Sequence, residues 1–99
     1  MDTIITFGTA AQSGEMEFKR GSVPASIILD IAADFAGAET IPAYYVGADG
    51  IRLTPVLNAD GDAFALSLTN KVLPIYFPCK VRLVKPESVA GMGANWFSN

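Results

Sequence analysis

The stretch Ile51-Arg52-Leu53-Thr54-Pro55-Val56-Leu57-Asn58-Ala59-Asp60-Gly61-Asp62-Ala63-Phe64-Ala65-Leu66-Ser67-Leu68-Thr69 decides the fold class. Arg52, Thr54 and Val56 alternate with Ile51, Leu53 and Leu57, broken only by Pro55. Phe64, Leu66 and Leu68 then alternate with Ala63, Ala65, Ser67 and Thr69, giving a large and a small face. That period of two is the signature of strands. Between the two runs, Asn58 to Asp62 is a dense turn signal in which Gly61 can take positive φ. The segment therefore reads as a β-hairpin across 51–69.

The same reading extends outward. Asn70-Lys71 makes the next corner. Leu73, Ile75 and Phe77 then alternate with Val72, Pro74 and Tyr76. Pro74 cannot donate to a ladder, so this strand is expected at an edge, short or bulged. After Pro78, Lys80, Arg82 and Val84 face one way and Val81 and Leu83 the other, placing two cations in solvent or against an acidic partner. Upstream, strands are expected at Thr3–Phe7, Glu15–Lys19 and Thr40–Val46, and a last one at Gly93–Phe97 with Trp96 or Phe97 inward. Residues 24–36 fit two templates. Ile28, Ile31, Ala32 and Phe35 make a helical stripe, while Ile27, Leu29 and Ile31 make a strand face. The β context and the β-branched Ile27-Ile28 pair favour a strand over 25–33, followed by a loop or single turn to Ala38.

The expected fold is thus all-β: one domain over 1–99, a small sandwich or barrel of about seven to eight short, mostly antiparallel strands. A chain of 10.5 kDa should fold to a surface of roughly 5,400 Å² and bury about two-thirds of its extended area, enough for one core. Apolar residues make up 51% and charged ones only 17%, against ~25% charged in ordinary domains. So little charge at this size points to surface hidden in an oligomer or on a larger assembly, with a well-packed monomer as the plainer alternative.

Net charge is −3 and no basic run occurs, which argues against nucleic-acid binding through phosphate neutralisation. No apolar run reaches the ~20 residues of a membrane span. Asp2 and the lack of a basic start read as a chain without a signal peptide. A single cysteine, Cys79, rules out an internal disulfide framework and suits a reducing cytosol.

Chemistry is sparse. There is no histidine, so neither a Ser-His-Asp nor a Cys-His nucleophile can be built. Cys79 has no base among its sequence neighbours and reads as a small apolar residue. Glu15 and Glu17 lie on one strand face about 7 Å apart, a spacing open to glycoside chemistry but equally that of a solvated face. Asn58, Asp60 and Asp62 begin a calcium-loop spacing, but glycine stands fourth rather than sixth and Thr69 is twelfth. Asn and Asp also make turns without metal. Gly91-Met92-Gly93 is too short for a phosphate loop. Tyr44, Tyr45 and Trp96 offer rings for sugar stacking, though Tyr44 and Tyr45 point to opposite faces of a strand. No catalytic residue, cofactor site or metal site is assigned, and no enzymatic activity is expected. The candidate partner contacts are Lys80, Arg82, Tyr44 and Trp96.

One resemblance bears on function. It is carried by Ile41-Pro42-Ala43-Tyr44-Tyr45-Val46, Ala48-Asp49-Gly50, Leu66-Ser67-Leu68-Thr69-Asn70-Lys71-Val72-Leu73-Pro74-Ile75-Tyr76-Phe77-Pro78 and Val81-Arg82-Leu83-Val84-Lys85-Pro86. Over roughly residues 25–90 this pattern resembles small all-β, capsid-associated decoration proteins of tailed bacteriophages. Cys79 departs from that pattern, which has a turn residue such as glycine there. The resemblance implies a virion structural protein made in the host cytoplasm, without an active site. Its partners would be the major capsid protein or another virion protein and further copies of itself, held partly by main-chain pairing at a strand edge. The alternative of a different class is a carbohydrate- or receptor-binding β-sandwich of a tail or fibre.

Overall fold

A computed structural model describes residues 2–33, 35 and 38–98. Nine strands form two antiparallel sheets. The first has the order β1-β9-β3-β7, from β1 (Asp2–Gly8), β9 (Met92–Ser98), β3 (Ala25–Ile31) and β7 (Val72–Ile75). The second has the order β2-β8-β4-β5, from β2 (Gln12–Phe18), β8 (Cys79–Lys85), β4 (Ile41–Val46) and β5 (Leu53–Pro55), with β6 (Ala65–Leu66) also on β4. The fold is a β-sandwich rather than a closed barrel. Its radius of gyration is 12.9 Å, near the ~13 Å of a 100-residue domain. Its surface of 5708 Å² is close to the expected value.

Alternation decides the core. Ala25, Ile27 and Leu29 of β3, Leu73 and Ile75 of β7, and Met92 and Ala94 of β9 point inward from one sheet. Phe18, Ile41, Ala43, Val81 and Leu83 meet them from the other. Each large side chain among these contributes roughly 1.5–3 kcal/mol on full burial. The ambiguous segment is strand β3, central in its sheet between β9 and β7. Of the loop expected after it, Asp34, Ala36 and Gly37 lie outside the described residues.

The expected hairpin over 51–69 survives only at its tip. Leu57 bridges Ala63, and the flanking arms do not pair with each other but run end to end along one edge of β4. Tyr44 to Val46 pair with Pro55 to Leu53, and Ile41 and Pro42 pair with Leu66 and Ala65. Ala43 joins the two pieces: its carbonyl accepts from Val56 N at 3.0 Å and its N–H donates to Phe64 O at 3.4 Å. Residues 57–63 are thus a finger projecting from the middle of an edge strand, closed at its base by Phe64 N donating to Val56 O at 2.6 Å. The tertiary ladder to β4 wins over local pairing because it satisfies the backbone of both arms and buries Val56 and Leu66.

Prolines mark where ladders stop. Leu29 N donates to Lys71 O, so on β7 the residues opposite β3's hydrogen-bonding positions are 71, 73 and 75, and Pro74 turns its backbone to the free edge. By the same count from Gly47 N to Arg52 O and Val56 N to Ala43 O, Pro55 turns its backbone outward from β5. Pro42 sits where the β4–β8 ladder ends at Ala43. The end strands β7 and β5 therefore each carry a residue with no donor, which weighs against the expected main-chain pairing to a neighbour at those two edges.

The opposite side is closed by β1 and β2. The chain passes from one sheet to the other through Thr9-Ala10-Ala11, and the two strands approach so closely that only glycine fits at position 14. A Cβ there would lie 2.2 Å from Ile4 O and 3.1 Å from Ile5 Cδ1. Because the obstacle is backbone, it cannot rotate away. Gly14→Ala is expected to cost about 2–3 kcal/mol, whereas Gly21→Ala, with nothing within 4 Å, should leave stability nearly unchanged. Urea unfolding of the two variants compares them, and equal midpoints would refute the close approach.

Candidate functional site

Three of the four candidate contact residues come together. β2, β8, β4 and β5 lie in register so that Glu15, Arg82, Tyr44 and Pro55 form one transverse row on the outer face of the second sheet. Glu17 and Lys80 face each other in the next row. The alternation expected for Lys80, Arg82 and Val84 is the one observed, with Val81 and Leu83 buried beneath.

The cations are already engaged. The Arg82 guanidinium donates from Nε to Glu15 Oε1 and forms an ion pair with it through Nη2. Lys80 Nζ stands 3.3 Å from Glu15 Oε2. One carboxylate therefore bridges two cations, and with Glu17 the four charges cancel. This face has no surplus positive charge for an acidic lattice. The Arg82 hydrogen bond, with a further contribution from Lys80, holds the Glu15 carboxyl below its ordinary 4.5. A carboxyl held ionised is not poised as a general acid, and Glu15 is already taken up by Arg82 and Lys80.

Trp96 is elsewhere. It lies on the inner side of the first sheet, opposite Ile27, and its ring meets Phe18 edge-on at 5.3 Å and 80°. Its role is packing, because that face of β9 also carries the buried Met92 and Ala94. Tyr45 points inward too and lies 5.6 Å from Phe77. Burial, with the neighbouring Cys79, raises its hydroxyl above the ordinary range, and burial likewise raises the Cys79 thiol. Tyr44, Tyr45 and Trp96 thus occupy three different surfaces and assemble no stacking platform. Nor is Cys79 placed as a thiolate nucleophile.

The two Asx motifs serve turns. Asn58 Oδ1 accepts from the N–H groups of Asp60 and Asp62 at 2.9 and 3.0 Å, and Gly61 has φ 85°. Asp49 Oδ1 likewise accepts from Ile51 and Arg52 at 3.0 Å each, holding its carboxyl below the usual range. Gly47, Ala48, Asp49 and Arg52 line a shallow depression at that turn. Among the described residues, no three His, Cys, Asp or Glu side chains are grouped to hold a metal ion.

What sequence reasoning missed is where the apolar surface gathers. The connections after Phe18, Val46 and Ile75 lie at one end of the sandwich, since Phe18 pairs with Cys79, Val46 with Leu53, and Ala25 with both Ile75 and Ser98. That end carries Ile51 at 81% exposure, Tyr76 at 74% and Phe77 at 52%. Tyr76-Phe77-Pro78 was legible as a strand exit, but its meeting with the Ile51 turn depends on the pairing of strands far apart in sequence.

Glu15 also sets a pH test. A depressed carboxyl stabilises the folded state at pH values above its unfolded pKa and loses that contribution as pH falls through the folded one. Glu15→Gln should therefore lower the melting temperature slightly at neutral pH and not at all in strong acid, the difference shrinking as the pH drops below about 4.5. A difference constant from pH 7 to pH 2 would remove the ion-pair account.

Compared with family models, curated proteins and solved structures, the chain matches none.

Proposed function

We propose that this chain is a non-catalytic structural module of a virion, a capsid-decorating or capsid-stabilising β-domain. The observation that carries the reading is the exposed apolar end that carries Ile51, Tyr76 and Phe77. Large rings and branched aliphatics on a turn, held on short connections to a packed sandwich, suit docking into a partner's pocket. Little side-chain entropy is then lost on contact. The low charge of the chain and its resemblance to capsid-associated β-proteins agree with this. The Glu15–Arg82–Lys80 ion-pair network agrees with a non-catalytic reading, because its carboxylate is engaged by both cations. The partner is the major capsid protein or another virion protein, reached in the cytoplasm of an infected host and retained in the particle. The carbohydrate-binding alternative is weaker, since Trp96 faces the core and Tyr44 stands alone among charges.

Purified protein mixed with capsids is expected to co-sediment with them. The double variant Ile51→Ser/Tyr76→Ser should lose most of that binding while keeping its melting temperature, because both side chains are exposed. Failure of the wild-type protein to bind capsids, together with a hit on a glycan array, would replace this proposal with the carbohydrate reading.

A further inference from the structure

The two outer faces of the sandwich differ. That of the second sheet carries Glu15, Glu17, Lys80 and Arg82, the ordinary polar exterior of an antiparallel sheet. That of the first sheet does not. Alternation and register place Ser26, Ile28 and Asp30 of β3, Asn95 and Phe97 of β9, Val72 and Pro74 of β7, and Thr3 of β1 on it. Phe7 joins them, because its ring covers Gly91, where a Cβ would lie 2.5 Å from Phe7 Cε1 and Cζ. Pairings join most of these side chains laterally: Ser26 faces both Phe97 and Pro74, and Ile28 faces both Asn95 and Val72. Among these residues Asp30 is the lone charge. Phe7 is 50% and Val72 48% exposed, and Ile28 and Phe97 are half-buried.

We infer that this face, centred on Ile28, Val72, Pro74 and Phe97, is an interface between two copies of the chain. The inference deepens the assembly reading by naming a surface and its occupant. Two observations point to a second copy. The face is nearly uncharged, so it can meet itself without burying like charges, as an isologous two-fold contact requires. The molecule also measures 36 × 25 × 25 Å, so a broad face spans roughly 600–900 Å² in projection. A standard interface needs about 800 Å² per partner. Sheet-on-sheet packing at about 10 Å would then repeat outside the domain the contact that forms its core. The prolines on β7 and β5 discourage strand addition at those edges and leave this face available.

Light scattering on a dilution series tests the inference. The wild-type protein is expected at about 21 kDa, twice the 10.5 kDa chain, at high concentration. Val72→Lys should raise the dimer dissociation constant by about a hundredfold or more, because the two-fold places the change in the interface twice. Phe97→Lys should act in the same way. Val84→Lys, on the opposite outer face at a position already 37% exposed, should leave the dimer intact. Thermal melts verify that each variant is folded. A wild-type protein that stays monomeric throughout would overturn the interface, as would a folded Val72→Lys protein that remains dimeric or a Val84→Lys protein that dissociates. Capsid co-sedimentation separates the two readings. Binding by a monomeric wild type would discard this interface and keep the assembly role, and a dimer indifferent to capsids would do the reverse.

Discussion

The sandwich depends on one tight passage between its sheets. Thr9-Ala10-Ala11 carries the chain from β1 to β2, and two groups from the far end of the sequence hold it. Lys85, 1% exposed, donates from Nζ to Ala10 O at 2.6 Å and to Pro86 O at 3.1 Å. Ser88 N donates to Thr9 O at 2.9 Å. Burying an ammonium costs several kcal/mol even after relaxation, and two bonds from a charged donor contribute about 1.5–3 kcal/mol each. The two sides nearly cancel. What Lys85 supplies is therefore position: it fixes where β1 leaves its sheet, which places Gly14 against Ile4 and seals that side of the core.

With one side sealed by β1 and β2, the other must end in open edges, and β4 shows how they are managed. It is paired on both sides, to β8 and to the broken β5–β6 edge. That broken edge combines an outward-facing proline with a projecting finger at 57–63. β7 combines an outward-facing proline with a length of only four residues. Short edges, prolines and interruptions are the usual means of discouraging strand addition. Such edges favour side-chain contact over strand addition wherever the module meets a partner.

Much of the fold was legible because alternation is local. The inward sets of β3, β7 and β8 follow directly from period two, and Pro74 announced an edge strand. The pairing was not legible. Nothing within 51–69 says that its arms prefer β4 to each other, because that choice depends on Ala43 offering both its N–H and its carbonyl to the same edge. The candidate site divides along the same line. Alternation alone put Lys80 and Arg82 on one outward face and Tyr44 and Tyr45 on opposite faces of one strand. That Trp96 or Phe97 would point inward was legible, but not that Trp96 would meet Phe18, 78 positions away in sequence. Glu15, which bridges both cations, was visible only as half of an acidic pair.

The ambiguity of residues 24–36 has a physical cause that bears on function. A strand with one solvated face alternates, but Ile27-Ile28-Leu29 is continuous, and a continuous apolar run fits helix and strand templates alike. Such runs belong to strands covered on both faces. Within this chain β3 is covered on one face only: Ile27 and Leu29 enter the core, while Ile28 lies beside Val72 on the outer surface. Leaving an isoleucine partly exposed in the middle of a sheet forgoes part of its roughly 1.5–3 kcal/mol of burial. A nearby polar substitution would remove the exposed surface without touching the core. The sequence places such charges on the second sheet, where Glu15 lies opposite Arg82, and withholds them from the centre of the first. That contrast is what a β3 built to be covered a second time would leave, once by the core and once by a partner.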